Sequence, residues 1–257
     1  MKKKSLVLIL LLVTCCYSLG QPGISKKQQK LASLYYQGEE LERKGNYSKA
    51  LSIYKKAYKE GDVWNSPFAI SMMYVEGRGV TIDMNEAFKW CKIAADEGNH
   101  DAEYSLSIMY YQGLGVQRDL RQSFLYSLKA AEGGVVCAME NVQVAYYKGE
   151  GTSVNLEESF KWLKKAAEHG DSEAYFALAI RYIRAIGCTF NDKEAEKWMI
   201  KAAESGNVDA QYSVGLMYEG GTSDIQPNKT IAVSWFEKAA SQGHSQAAIK
   251  LQQLKNK

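Results

Sequence analysis

Apolar and polar positions repeat along this chain with a period of 36 residues, with a single step of 37 near the end. Three kinds of position share the period. The alanine pairs begin at Ala94, Ala130, Ala166, Ala202 and Ala239; the tyrosines are Tyr74, Tyr110, Tyr146, Tyr182 and Tyr218; the large aromatic residues are Trp90, Tyr126, Trp162, Trp198 and Trp235. Such a period indicates a tandem array whose units bury their apolar faces against one another.

Each unit is predicted to contain two helices. Ala102, Leu106 and Tyr110 have the i, i+4, i+8 spacing of one helix face, and glycines follow that helix. The second helix begins after Asp119, with Gln122 three residues on, which predicts a reciprocal capping box. The same pairs recur at Asp83 and Glu86, Asn155 and Glu158, and Asn191 and Glu194, whereas Asn228 is followed by Ile231. We place the Trp162 column in the core, between stacked helix pairs.

The pattern A-x-x-x-L-x-x-x-Y-x-x-G-x-G-V, followed by a capped linker, A-F-x-W and A-A-x-x-G, resembles the Sel1-like repeat, a relative of the tetratricopeptide repeat. It covers residues 64–243, and 101–132 is the clearest match. The fourth unit departs from the pattern, with Ala185 in place of a glycine. The resemblance implies an all-α fold, an α/α right-handed superhelical solenoid that binds a protein partner on its concave face.

The resulting domain organisation has nine segments. They are a signal peptide (1–20), a flexible linker (21–30), a tetratricopeptide-like unit (31–63), five Sel1-like repeats (64–99, 100–135, 136–171, 172–207 and 208–243) and a C-terminal capping helix (244–257). In that last helix we expect Ala248, Leu251 and Leu254 to face the core.

The first twenty residues have the features of an export signal. Three lysines precede an apolar run over residues 6–16, which is too short to span a bilayer. We expect cleavage before Gln21 and a periplasmic or secreted product. The alternative is lipidation at Cys15, which would give an outer-membrane lipoprotein and the one route to a membrane.

Charge and cysteine content restrict the class of partner. The formal net charge is +3, and the expected signal carries three lysines and no acid, so the remainder is balanced. A nucleic-acid partner is therefore not expected, because phosphate backbones require a basic excess. Cys91, Cys137 and Cys188 form no C-x-x-C motif and are interpreted as small apolar residues, with a disulfide as the alternative.

No catalytic or metal-binding pattern stands apart from the repeat. The carboxylates Asp83, Asp119, Glu86 and Glu158 fall in capping columns, and the three histidines His100, His169 and His244 lie in different columns. No metal or other cofactor is therefore predicted. Ser52 and Lys55 have the S-x-x-K spacing of penicillin-binding and β-lactamase-like enzymes, but S-D-N and K-T-G are absent. That enzyme class is a remote alternative, and the chain is predicted not to be an enzyme.

A partner-binding set is chosen where the first helices depart from the repeat's own consensus. It comprises Tyr111, Glu140, Tyr147, Lys148, Ile183 and Arg184. Tyrosine and arginine are over-represented among residues that dominate binding energy. The apolar column Met72, Ile108, Val144, Ile180 and Leu216 is assigned to packing. The predicted function is an exported, monomeric scaffold or adaptor; the alternative is an immunity protein that neutralises a secreted toxin such as a phospholipase effector.

Overall fold

The computed structural model describes residues 25–222 and 224–255, which form thirteen α-helices and no strand. The helices are α1 (Lys26–Arg43), α2 (Tyr47–Glu60), α3 (Asn65–Glu76), α4 (Met84–Asp96), α5 (His100–Gln112), α6 (Leu120–Glu132), α7 (Val136–Lys148), α8 (Leu156–Glu168), α9 (Ser172–Arg184), α10 (Asp192–Glu204), α11 (Val208–Gly220), α12 (Lys229–Ser241) and α13 (Ser245–Lys255). Odd-numbered helices up to α11 are the first helices of their repeats, and even-numbered ones the second. The all-α fold of paired helices is confirmed.

The chain divides into two compact units, residues 1–99 and 100–257. In the first unit, the core is formed by Ala50, Leu51, Tyr54, Ile70 and Met73. In the second, one apolar cluster runs from α6 to α11, and a smaller one joins α12 to α13.

The second helices begin where the caps predict, but the capping boxes are only half formed. The side chains of Asp83, Asp119, Asn155, Asn191 and Asn228 each accept a bond from a backbone N–H of the first turn. The reciprocal bonds predicted from Glu86, Gln122, Glu158 and Glu194 are not formed. Glu86 and Glu158 instead pair with lysines three residues further on, Lys89 and Lys161, at 2.6 Å. A complete box is formed at Ser25 and Gln28.

The aromatic column of the second helices is buried as expected in the middle of the second unit. Trp162 and Trp198 are 5% and 3% exposed, whereas Trp235 is half-buried. Sequence reasoning missed the lysines that cover these rings, three residues on in each helix. Lys165 Nζ lies 3.9 Å from the Trp162 ring centroid. The column therefore combines burial with a cation–π contact.

Both ends of the described chain correct the sequence predictions. The stretch 21–30 was assigned to a linker, yet α1 begins at Lys26, because Ser25 and Gln28 form its cap. In α13, Ala247 is buried and Ala248 exposed, while Leu251 and Leu254 pack on the preceding helices. The predicted signal peptide (1–20) and its candidate lipidation site, Cys15, lie outside the described residues.

Candidate interaction face

Three first helices of the second unit each present a stripe of residues at i, i+4 and i+7, a spacing that keeps them on one side of a helix. The stripes are Tyr104, Ile108 and Tyr111 on α5; Glu140, Val144 and Tyr147 on α7; and Phe176, Ile180 and Ile183 on α9. We call these nine residues the first-helix face. Its last row is the most open: Tyr111, Tyr147 and Ile183 are 45%, 45% and 42% exposed.

The face includes a column that sequence reasoning had assigned to packing, and in this unit that column is only partly buried. Ile108, Val144 and Ile180 are half-buried, with Ile180 packed against the apolar cluster, and Leu216 is 37% exposed. The fully buried positions lie two residues earlier, at Leu106, Val142, Leu178 and Val214, each 0% exposed. Two residues rotate a helix by about 200°, so the two columns lie on opposite sides of the same helix.

Glu140 is the one charged residue among the nine, and it connects neighbouring stripes. Burial, a hydrogen bond with Asp171 and the negative charges of Asp171 and Glu173 raise its pKa from 4.5 to about 7. Asp171 caps α9 by accepting the Glu173 N–H at 3.0 Å. On the other side, burial, then Cys137 and Glu140, raise the pKa of Tyr104. Glu140 thus lies between a phenol on α5 and carboxylates at the start of α9.

Two arginines hold the exposed tyrosines, and sequence reasoning missed both. The guanidinium of Arg118 lies 5.6 Å from the Tyr111 ring centroid, and its Nε donates to the Tyr111 carbonyl at 2.9 Å. The guanidinium of Arg181 lies 4.6 Å from the ring of Tyr147. The sequence did contain a signal for Arg181, because the residues at the equivalent position of the neighbouring repeats, Ala145 and Met217, are apolar.

The predicted cations Lys148 and Arg184 are exposed and directly follow Tyr147 and Ile183 in sequence. Lys148 Nζ lies 3.8 Å from Glu150 Oε1, a solvated pair that contributes little to stability. Lys148 is the last residue of α7 and Arg184 is the last residue of α9, so both place a positive charge beside the exposed end of a stripe.

The face ends at α11, where His244 and α13 contact two of the three equivalent residues, Tyr212 and Glu219, while Leu216 remains exposed. The rings of Tyr212 and His244 stack at 4.5 Å, and Lys250 Nζ pairs with Glu219 Oε2 at 2.7 Å. These contacts occupy the first and last positions of the stripe that would otherwise extend the face, and α5, α7 and α9 carry its open part.

The residues considered for catalysis are engaged in local contacts. Ser52 Oγ donates to the Lys49 carbonyl at 2.7 Å, and Lys55 Nζ lies 5.8 Å from the Tyr74 ring centroid. Over the described ranges, no cluster of three or more His, Cys, Asp or Glu side chains could hold a metal ion. No helix in that part of the chain is long and apolar enough to cross a bilayer.

The family model for the Sel1 repeat matches residues 28–62, 68–99, 100–135, 141–171, 172–207 and 208–244, which is more than half of the chain. This chain belongs to the Sel1 repeat family. Residues 31–63 were expected to be a plain tetratricopeptide unit; the Sel1 model matches them as well, so the repeats number six. Sel1 repeats generally serve as protein-interaction scaffolds.

Two solved structures resemble this Sel1 repeat protein throughout most of its length. A Sel1 repeat protein from Oxalobacter formigenes is 33% identical with a TM-score of 0.65, and the match covers 83% of this chain and 86% of that one. A protective antigen of uropathogenic Escherichia coli is 28% identical with a TM-score of 0.62; the match covers 87% of this chain but 56% of that protein. No curated protein sequence gives a significant match.

A third solved structure gives a weaker match. An immunity protein from Pseudomonas aeruginosa is 18% identical with a TM-score of 0.43, and the match covers 88% of this chain and 85% of that one. A likeness at this level carries no argument about fold or function.

Proposed function

We propose that this protein is a scaffold that binds a protein partner across the first-helix face. The contact set comprises Tyr111, Glu140, Tyr147, Lys148, Ile183 and Arg184. One observation carries the proposal: Tyr111, Tyr147 and Ile183 occupy the same position in three consecutive repeats and are 42–45% exposed. Single exposed apolar residues are ordinary, but a row of them beside a partly buried apolar column is typical of an interaction site.

The chemistry of the face suits a polypeptide better than a small metabolite. Small ligands bind in enclosed pockets, whereas these stripes lie on the open sides of successive helices. Aromatic residues surrounded by polar side chains of both signs are typical of the centre of a protein interface. The face offers Tyr111 and Tyr147 as aromatic anchors, with Glu140 and Lys148 as charged neighbours.

Site-specific crosslinking tests this proposal directly. A photoreactive amino acid would replace Tyr111 or Ile183 in the full-length protein expressed in its own host. Lys161 and Lys197, exposed on second helices, provide matched control positions. We expect one protein adduct from the face positions and none from the controls. Adducts from the control positions alone would place the binding site on the second helices and contradict the proposal.

The crosslinked partner then allows the anchor to be measured. Tyr111→Ala is expected to weaken its affinity by about thirtyfold, which corresponds to about 2 kcal/mol for a central anchor. Lys148→Ala should have a much smaller effect that disappears at high salt, because its charge is solvated. Unchanged affinity in Tyr111→Ala would remove this residue from the site.

We also propose that the protein acts outside the cytoplasm, on the basis of the N-terminal lysines and apolar run alone. Mass spectrometry of the native protein should find Gln21 as the first residue. A lipidated peptide that begins at Cys15 would instead establish a membrane-anchored scaffold, and an intact N-terminus would contradict export.

A further inference from the structure

Arg181 is a charged residue in a core position. The equivalent residues in other repeats are Met73, Met109, Ala145 and Met217. The Arg181 side chain nevertheless follows its column into the interior and is only 8% exposed. The repeat requires an apolar side chain here, so the pattern gives no reason for an arginine.

The charge of Arg181 is poorly compensated where it lies. Nη2 is 3.4 Å from Ser159 Oγ, a long contact, and the guanidinium stacks on the Tyr147 ring at 4.6 Å. Nη1 is buried and has no hydrogen-bond partner, and no carboxylate in the described part of the chain lies within 4.0 Å of the guanidinium. Burial lowers the pKa of the Arg181 guanidinium, as expected for a cation removed from water.

A buried arginine without a carboxylate is costly. Partly unpaired buried charges destabilise a fold, whereas an apolar residue of similar volume at the same place is often neutral or stabilising. Methionine fills this position in three other repeats without such a cost. The unsatisfied donor therefore calls for an acceptor that the isolated chain does not supply.

We propose that Arg181 is the receptor for an Asp or Glu side chain of the partner protein. The Tyr147 ring rotates aside when the partner binds, and the partner's carboxylate accepts hydrogen bonds from Nη1. This inference rests on the proposed function and specifies the chemistry of its partner. Tyr147 is suited to the movement, because its side chain is 45% exposed. The movement breaks its stacking contact with Arg181.

The surroundings of Arg181 favour an acidic side chain inside a peptide segment over the free carboxylate of a C-terminus. Tyr111 lies on one side of Tyr147 and Ile183 on the other, so a bound segment has apolar positions to contact in both directions. Lys148 and Arg184 add positive charge next to Tyr147 and Ile183. The preferred sequence is therefore an acidic residue flanked by apolar ones, paired with arginine through charge-assisted bonds.

The test uses the column's own consensus residue. Peptides would be selected from a random twelve-residue library, displayed with a fused C-terminus so that only internal carboxylates are present. The full chain and its Arg181→Met variant would each serve as bait. We expect the natural chain to enrich peptides with an acidic residue between apolar ones. Arg181→Met should enrich apolar peptides without the acid, and replacing that acid by its amide should weaken binding to the natural chain about tenfold or more.

Thermal unfolding of Arg181→Met gives a second readout. Its melting temperature should rise by about 2 °C or more, because an unpaired buried charge has been removed. A fall in melting temperature would show that Arg181 stabilises the fold and would overturn the inference.

The outcomes separate this inference from the proposed function. Apolar peptides without a preferred acid, lost on Tyr111→Ala, would overturn the role of Arg181 and leave the scaffold proposal standing. An acid favoured only at a free C-terminus, in a second library that exposes it, would overturn the internal side chain as ligand. Enriched peptides that are indifferent to both Tyr111→Ala and Arg181→Met would contradict both proposals.

Discussion

Ala185 occupies a position that glycine fills at the end of other first helices. Gly113 and Gly149 have φ of +75° and +76°, and Ala185 adopts +53° in their place. A Cβ at this backbone conformation costs about 1–2 kcal/mol relative to right-handed geometry. The sequence identified the departure from the pattern, and the structure shows that the helix still ends in the same way.

Ala185→Gly is therefore expected to stabilise the protein by about 0.5–1 kcal/mol. The substitution removes the strain of a positive φ at a residue with a Cβ. Part of that gain is lost, because glycine raises the conformational entropy of the unfolded chain. Urea denaturation of the variant measures this. Ala177→Gly is the matched control, since Ala177 is exposed within α9 and the same substitution there should cost about 1 kcal/mol. Destabilisation by both variants would refute the strain at Ala185.

Glu140 makes stability depend on pH in an unusual direction for a carboxyl group. Its pKa is about 7 in the folded protein against an ordinary 4.5, so the folded state binds the proton more tightly. The associated stability is complete below pH 4.5 and is lost as pH rises to and through 7. The proton can be donated to Asp171, whose buried Oδ2 has no other hydrogen-bond partner in the described part of the chain.

Glu140→Gln should consequently raise the melting temperature at pH 8 and change it little at pH 5, because glutamine is neutral at both. Thermal scans of the two proteins at these pH values check the prediction. Glu237→Gln, at an exposed position on α12, serves as the control. Equal shifts at both pH values would mean that Glu140 is ionised throughout.

At the scale of the element, the second glycine of the turns that follow α7 and α9 allows a close approach between repeats. A Cβ on Gly151 would lie 2.0 Å from the carbonyl oxygen of Leu120, and one on Gly187 would lie equally close to that of Leu156. Leu120 and Leu156 begin the second helices of the preceding repeats. These glycines are therefore required both by their backbone conformation and by the neighbouring helix.

Gly151→Ala is expected to cost about 3 kcal/mol or more, since backbone strain adds to a clash that only a backbone shift can relieve. Gly134→Ala is a matched control: its φ is also positive, at +92°, but a Cβ there meets nothing within 4 Å. It should cost only about 1–2 kcal/mol. Comparable losses in denaturation experiments would show that the contact with Leu120 is unimportant.

At the scale of the whole molecule, the stability of the array derives from contacts between neighbouring repeats. The main cluster of the second unit is continuous from α6 to α11, and Trp162 on α8 belongs to it. In such arrays each repeat contacts only its neighbours, so one core substitution weakens the adjoining repeats as well.

Trp162→Ala is expected to cost about 3–5 kcal/mol, because a 5%-exposed ring leaves a cavity. Hydrogen exchange should show lost protection in α6 and α10 as well as in α8. Phe190→Ala is the control, as Phe190 is 61% exposed and its removal should change stability by less than about 0.5 kcal/mol. A loss below roughly 1 kcal/mol for Trp162→Ala would contradict its place in the core.

The sequence by itself determined the period, the helix pairs, the starts of the second helices and the alanine and aromatic core columns. These features are local: a cap or a glycine ends a helix within one turn, and an apolar stripe marks the buried side. The same pattern selected Tyr111, Tyr147 and Ile183, since variation within a repeat is visible along the chain.

Only the tertiary structure decided which apolar column faces outward and which charged residue lies inside. Ile108 and Leu106 are equally apolar, and packing on two neighbouring helices fixes the rotation that buries Leu106 completely and leaves Ile108 partly exposed. Arg181 has a long side chain whose burial depends on Ser159 and Tyr147, which belong to the preceding repeat. These contacts join residues that are 22 and 34 positions apart in the sequence. A local sequence pattern does not predict them, because they arise from the stacking of the repeats.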